Sequence, residues 1–223
     1  MVHLLAPEDY FDVVTDRNRD KINREEQRLL RSRRVGVAGL SVGGEAAFTL
    51  AQEHLCGTLV LADFDALDLS NLNRLGTGVH ALGQNKAVLL ARRIAEVDPW
   101  LEVVLHPEGV TGESLDAFMD GLDLLVEECD GLAMKWTMRE EARRRGIDIV
   151  FAGDERGFLS LEPYGAHPDL LPFHGLLDGP QPPRSSFDSP LAFMKELTVW
   201  LGGWDAISDR SQNSLAQLGT ELG

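Results

Sequence analysis

The sequence predicts an α/β fold: a Rossmann-like, mostly parallel sheet with helices on both faces, an N-terminal helical arm before it and a Pro-rich, helical extension after it. Three observations lead there. Short apolar runs alternate with segments of helical spacing through residues 35–164, the order expected of a parallel sheet whose crossovers cover both faces. The first run, at 35–38, passes straight into Gly39, Ser41, Gly43 and Gly44 and then into a helix, a turn whose N–H groups and helix N-terminus suit phosphate. The second run, at 58–62, ends at Asp63, the spacing at which an acidic residue takes ribose hydroxyls. That much suits NAD as well as ATP.

Taken in order, residues 1–34 read as an arm and a helix, 35–164 as the nucleotide-binding core, and 165–223 as a crossover with C-terminal helices. Residues 1–21 are polar and read as an arm. Asn23 and Glu26 stand three apart, as in a capping box, and predict a helix over 24–32. In the core, Ala47, Leu50 and Ala51 share one face of a helix over 45–55. A loop rich in Asn, Gly and Asp fills 66–83. The next helix opens at 83–86 and runs to Glu96, where Asp98-Pro99 stops it. A strand at 101–105, a short helix at 113–119 and a strand at 123–126 follow, the last ending in Glu127, Glu128, Cys129, Asp130 and Gly131. A helix at 132–145 and strands at 147–152 and 158–161 complete the core, with the final strand antiparallel. Seven of the ten prolines then fall in 163–190, which reads as an extended crossover. Ser189-Pro190 opens an unusually apolar helix over 191–201, and a weaker helix covers 209–218.

Composition narrows the function classes. Hydrophobic residues are 43% of the 223 positions, enough for a buried core. A net charge of −15 disfavours nucleic acid as a general partner. No apolar run approaches the ~18 residues of a membrane span, and the N-terminus lacks a basic start followed by an apolar segment. The expectation is a cytoplasmic protein with no membrane partner. Two cysteines, Cys56 and Cys129, cannot build a disulfide framework or a zinc ribbon, so no zinc is expected. Eight of the 21 basic residues lie in 17–34; most read as a solvated helix face, with one or two left to serve a phosphate. His167 and His174 read as ordinary surface histidines.

Four features converge on one ligand. The first is the glycine turn. The second is the carboxylate pair Asp63 and Asp65 at the end of the second strand, where open α/β sheets bind ligands. The third is Asn71 and Arg74 with Lys86: an amide, a guanidinium and an ammonium suited to a triphosphate's oxygens. The fourth is Asp130, a carboxylate placed to hold Mg²⁺ beside the phosphates. Each also has a structural reading. Asp130 could cap the following helix, Lys86 could be a surface lysine, and Asn71 could stabilise a turn. Together they follow the order that one site requires.

AGLSVGG, LADFDALDLSNLNR, GQNK and EECDG resemble the ThiF/MoeB/HesA adenylyltransferases, relatives of the ubiquitin-activating enzymes, over roughly residues 17–164. The resemblance implies a homodimer that binds MgATP and adenylylates a carboxylate, releasing pyrophosphate. It assigns the ribose to Asp63, the phosphates to Asn71, Arg74 and Lys86, and Mg²⁺ to Asp130. An arginine from the other subunit's N-terminal helix would reach the ATP, with Arg19 the first choice and Arg17 the second. The acceptor would be the C-terminus of a small protein or peptide, or a small acid. LSVGG with the DFD and LSNLNR pieces also resembles a subgroup in which such a domain is joined to a nitroreductase-like domain.

The departures from the family pattern matter. Ser41 stands where the turn usually has its second glycine, and the paired C-x-x-C zinc site is absent. No cysteine follows Cys129, so a thioester relay within this chain is not expected. Glu127 and Glu128 add negative charge near the phosphates, suiting either a second metal or a domain that has lost ATP. A catalytically silent nucleotide-binding partner is therefore the second reading. An NAD-dependent oxidoreductase is the third, and it leaves Asn71, Arg74 and Lys86 unexplained.

Overall fold

The computed structural model describes residues 5–153, 157–177 and 203–217, with positions 179, 192, 195, 196, 198 and 199. The apolar helix expected over 191–201 and much of the crossover fall largely outside the described residues. The chain divides into two compact units, 1–130 and 131–223.

The first unit is built on four parallel strands: β1 (Arg34–Ala38), β2 (Thr58–Ala62), β3 (Glu102–His106) and β4 (Leu124–Glu127). β1 pairs with β2 on one side and β4 on the other, and β2 pairs with β3. The order is therefore β3-β2-β1-β4, and the chain reverses direction of growth between β1 and β4. Such a switch point opens a crevice at the strands' carboxyl ends. Alternation along the strands sorts side chains to the two faces. Val35, Val37, Leu59, Leu61 and Val126 join one core cluster with Phe48, Leu90 and Ile94. These last come from α3 (Val42–Gln52) and α4 (Lys86–Val97). Gly36 faces the other way, towards Leu122 and Phe118, the latter on the short α5 (Leu115–Met119). Helices thus cover both faces, as expected.

Two helices precede the sheet. α2 (Arg24–Arg31) carries the predicted capping box: Asn23 accepts from the N–H groups of Glu25 and Glu26, and Glu26 reaches back to the Asn23 N–H. α1 (Pro7–Val14) lies within the segment expected to be an arm. It docks through one buried side chain, Phe11, over which Arg31 stacks at 4.5 Å. The start of α3 also differs from expectation. It begins at Val42, three residues early, so Gly43 and Gly44 form its first turn.

In the second unit, α6 (Leu132–Arg145) ends at Gly146 in the left-handed conformation, with three arginines in its last turn opposing the helix dipole. β5 (Asp148–Ala152) pairs antiparallel with β6 (Leu159–Glu162), as predicted. Glu162 is the buried hub: it accepts from Arg139 Nε at 2.7 Å, the Tyr164 hydroxyl at 2.8 Å and the Phe173 N–H at 2.6 Å. Burial, then the adjacent Glu162 charge, pushes the Tyr164 hydroxyl far above its ordinary range. His167 and His174 are exposed. α7 (Asp209–Gln217) matches the weaker helix predicted near the end.

Candidate active site

β1 exits into a turn that only glycine can make. Gly39 has φ +88°, and a Cβ there would lie 2.4 Å from the Glu128 carbonyl oxygen and 2.7 Å from the Cys129 nitrogen. The exits of β1 and β4 therefore close on each other at the switch point, with Glu128 N–H donating to Ala38 O at 2.7 Å. Gly43 lets α3 pack against β1, since a Cβ would stand 2.9 Å from Val37 Cγ1. Ser41 occupies the N-cap position of α3 without a side-chain cap bond. Ser41 thus gives the first N–H groups of α3 no side-chain cap, and a helix N-terminus of this kind suits an anion.

Asp63 stitches the turn to the end of β2. It is buried; Oδ2 accepts the Leu40 N–H at 2.7 Å and Oδ1 accepts the Asp65 N–H at 2.8 Å. Each oxygen keeps a lone pair for a further donor. Asp65 is half exposed and pairs with Lys86, whose buried Nζ lies 2.8 Å from Oδ2. Lys86 opens α4, capped by Asn85, whose Oδ1 accepts from Ala87 and Val88. The same Asn85 donates through Nδ2 to Asp63 O at 2.9 Å and to Pro107 O at 3.1 Å. One side chain therefore ties together the exits of β2 and β3 and the start of α4.

Asn71 is buried and its Oδ1 accepts the Asp68 N–H at 3.0 Å, so it does stabilise a turn. Arg74 is exposed. Its guanidinium reaches Ser70 O at 3.2 Å, Asn73 Oδ1 at 2.9 Å and Ser41 Oγ at 3.5 Å, and no carboxylate pairs with it among the described residues. It stands at the glycine turn as a cation in contact with the Ser41 hydroxyl. Asp130 is exposed with no hydrogen-bond partner among the described residues, at the end of the β4 exit. Glu127 is fully buried and its Oε1 accepts the Cys129 N–H at 2.9 Å, so this carboxylate shapes the exit of β4. Among the described residues, no group of three or more His, Cys, Asp or Glu side chains could hold a metal by itself.

Arg19 is not brought to this set within its own chain. Its Nε donates to Asp16 O at 2.9 Å and its guanidinium pairs with the Asp16 carboxylate. Arg17 is likewise exposed in the same turn. A cavity of about 430 Å³ opens beside α3 and α4; of the predicted site residues only Gly44 and Lys86 line it, with Leu40, Leu67, Glu45 and Arg93. Glu45 organises its rim. The Arg93 hydrogen bond, aided by the Gly76 N–H and opposed by burial, holds the Glu45 carboxyl below the usual carboxylate range. Arg93 also lies over the Phe48 ring at 3.6 Å.

Sequence reading missed Asn85, Glu45 and Arg93. Asn85 carried a local signal, an Asn directly before a helix. Glu45 and Arg93 stand 48 residues apart and carried none. Chemically, this edge offers backbone N–H groups, the Arg74 guanidinium, the Lys86 ammonium paired with Asp65, and the exposed Asp130 carboxylate. That set suits binding and charge-stabilising a polyphosphate.

The ThiF family model matches residues 15–159. A Mycobacterium tuberculosis protein described as uncharacterized protein MT1398 is 50% identical over 177 residues, covering 79% of this chain and 25% of that protein. The tRNA threonylcarbamoyladenosine dehydratase of Bacillus subtilis is 33% identical over 137 residues, 60% of this chain and 54% of that one. The chain thus spans from a quarter to about half of these relatives. Among solved structures, the Escherichia coli tRNA N6-threonylcarbamoyladenosine dehydratase TcdA in complex with ATP superposes with a TM-score of 0.63 at 23% identity, covering 69% of this chain and 65% of TcdA. Escherichia coli MccB with ATP gives a TM-score of 0.61 at 17% identity, over 69% of this chain and 50% of MccB. Those two likenesses speak for the fold; the family match, over more than half of the sequence, shows that this chain belongs to the ThiF family.

Proposed function

We propose that the chain binds MgATP at the carboxyl edge of β1, β2 and β4 and adenylylates a carboxylate, releasing pyrophosphate. The observation that carries this reading is the junction at Asp63: one buried carboxylate joins the glycine turn to the β2 exit, with Lys86 two hydrogen bonds away. Asp63 would accept the ribose hydroxyls on its remaining lone pairs. Gly39, Ser41, Gly43 and Gly44 would bring backbone N–H groups to the phosphates. Asn71, Arg74 and Lys86 would bind their oxygens, Lys86 exchanging Asp65 for phosphate.

The acceptor's carboxylate oxygen attacks the α-phosphorus, a P–O bond to the acceptor forms, and the bond to the β-phosphate breaks as pyrophosphate leaves. Negative charge rises on the transferred group and on the leaving oxygen. Preorganised cations aimed there lower the barrier, and no side-chain nucleophile is required. Mg²⁺ takes one or two carboxylates together with substrate phosphates, so a single exposed Asp130 fits its demands. When bound, the ion neutralises the phosphates' charge. Arg19 would serve the partner subunit of a homodimer, leaving Asp16 to do so.

The acceptor is the C-terminus of a small protein or peptide, or a small acid. Two solved relatives differ on this point: one is named for tRNA, and MccB has been solved with MccA-N7isoASN. The charge of −15 favours the peptide or small acid for this chain. With no cysteine after Cys129, the activated acceptor passes to no thiol of this chain by a thioester relay, and a cytoplasmic location accords with two thiols left unbridged. Among the described residues no helix is long and apolar enough to cross a membrane.

The test is pyrophosphate exchange into ATP in the presence of candidate carboxylate acceptors. Exchange that needs Mg²⁺ and vanishes in Asp130→Ala supports the proposal. An adenylylation that survives Asp130→Ala refutes the metal assignment, and ATP binding with no exchange for any acceptor class, tRNA included, favours the silent partner.

A further inference from the structure

The one side chain that α2 buries is an amide. Gln27 is 2% exposed, whereas Leu29 on the same helix is 56% exposed. Burying a glutamine is unfavourable unless its donors and its acceptor are met. Here they are. Nε2 donates to Glu53 O at 3.1 Å and to His54 O at 2.7 Å, and Oε1 accepts from Asn18 Nδ2 at 3.2 Å. Asn18 Nδ2 also donates to Glu53 O at 3.2 Å.

The carbonyls so engaged end α3. Glu53 is its C-cap, and His54 follows with φ +53°. Carbonyls at a helix's carboxyl end lack partners within the helix, so the two amides complete that end. Lys21 adds an ion pair to the Glu53 side chain at 2.5 Å. The turn at 16–19 is thereby fixed to the carboxyl end of α3, while its Arg17 and Arg19 side chains stay exposed. The amino end of the same helix carries the glycine turn, 11 residues or about 16 Å away.

We infer that Asn18 and Gln27 are positioning residues for the arginine turn. The inference rests on the nucleotide reading of the site and on the arginine assigned to ATP there. A buried, fully bonded amide pair sets the turn in one place, where an apolar contact would let it slide. One rigid helix then fixes both the turn that receives the phosphates and the turn that offers the arginine.

Calorimetric titration of the full chain with ATP and Mg²⁺ tests this as a double-mutant cycle. The arginine-free background is Arg17→Ala with Arg19→Ala, so the test holds whichever of the two reaches the nucleotide. Asn18→Ala, which removes an amide from a partly exposed turn, is expected to weaken ATP about tenfold in the wild-type chain and by less than about twofold in that background. Gln27→Met, similar in volume, should follow the same pattern. Equal weakening in both backgrounds overturns the inference, as a general effect on the fold. Wild-type affinity in Asn18→Ala overturns it as well. An arginine-free chain with wild-type affinity overturns the arginine assignment and the positioning role with it, and leaves the rest of the nucleotide reading standing. Failure of the wild-type chain to bind ATP would overturn the nucleotide reading, and the positioning role with it.

Discussion

Replacing Gly39 by alanine isolates the convergence that builds the site. The backbone there has φ +88°, which costs an L-residue about 1–2 kcal/mol. The added Cβ would also lie 2.4–2.7 Å from Glu128 O, Glu128 C and Cys129 N. These are backbone atoms hydrogen-bonded into the β4 exit, so relief requires the two strand ends to part. Overpacking of this kind costs about 1–3 kcal/mol. The sum, about 2–5 kcal/mol, is a large part of an ordinary domain's ~5–15 kcal/mol. Gly83 supplies the control, because it has φ +80° with nothing within 4 Å of the added Cβ. Gly83→Ala should carry only the conformational cost. Equilibrium urea unfolding followed by circular dichroism measures both variants, and calorimetry with MgATP reports whether the turn still receives phosphate. A Gly39→Ala variant as stable as Gly83→Ala, with ATP binding retained, would refute the closure of the β1 and β4 exits.

Other expectations concern the scaffold. Burial opposes ionisation of Asp98, but hydrogen bonds from His54 and from the Trp100 and Leu101 N–H groups outweigh it and hold the carboxyl below its ordinary value. A depressed carboxylate stabilises the fold above the unfolded pKa of ~3.9 and loses that contribution as pH falls through the folded one. Asp98→Asn should therefore cost about 1–3 kcal/mol at pH 7, a gap that narrows as urea titrations move from pH 5 towards pH 2; a gap independent of pH would contradict the assignment. Asn85→Ala removes a helix cap and two bonds to loop carbonyls, and about 2–3 kcal/mol should go with them by thermal or urea unfolding; a loss under ~0.5 kcal/mol would show that the clamp is not needed. Burial, with nearby Asp98 adding to it, pushes the Cys56 thiol up to about 12. A thiol reagent should therefore label only the partly exposed Cys129 in the native chain, and two rapidly labelled thiols would contradict the buried position of Cys56.

Local signals were the ones that could be read from the sequence. The Asn23 and Glu26 box acts over three residues, and the alternation of strands and helices follows from patterns within each element; both appear where expected, and Asp63 stands at the end of β2. α1 did not show, because Phe11 is its one buried side chain and its other ties, Tyr10 to Val97 O and Glu8 to Arg31, reach far along the sequence. The early start of α3 was hidden for a different reason. Two glycines disfavour a helix by about 1 kcal/mol each, and here close packing of Gly43 on Val37 overrides that preference. Glu127 reads as a charge beside the phosphates, yet the β4 exit turns its carboxylate onto the Cys129 N–H. Long-range ties such as Glu45 with Arg93, and the double role of Asn85, depend on which loops the sheet brings together.

The most direct test of the central claim is calorimetric titration of the chain with ATP and Mg²⁺, and separately with NAD. The account predicts ATP binding that weakens at least about tenfold in Arg74→Ala and in Lys86→Ala, each having lost a charge-assisted contact. Binding of NAD alone, or ATP binding indifferent to both substitutions, would contradict it.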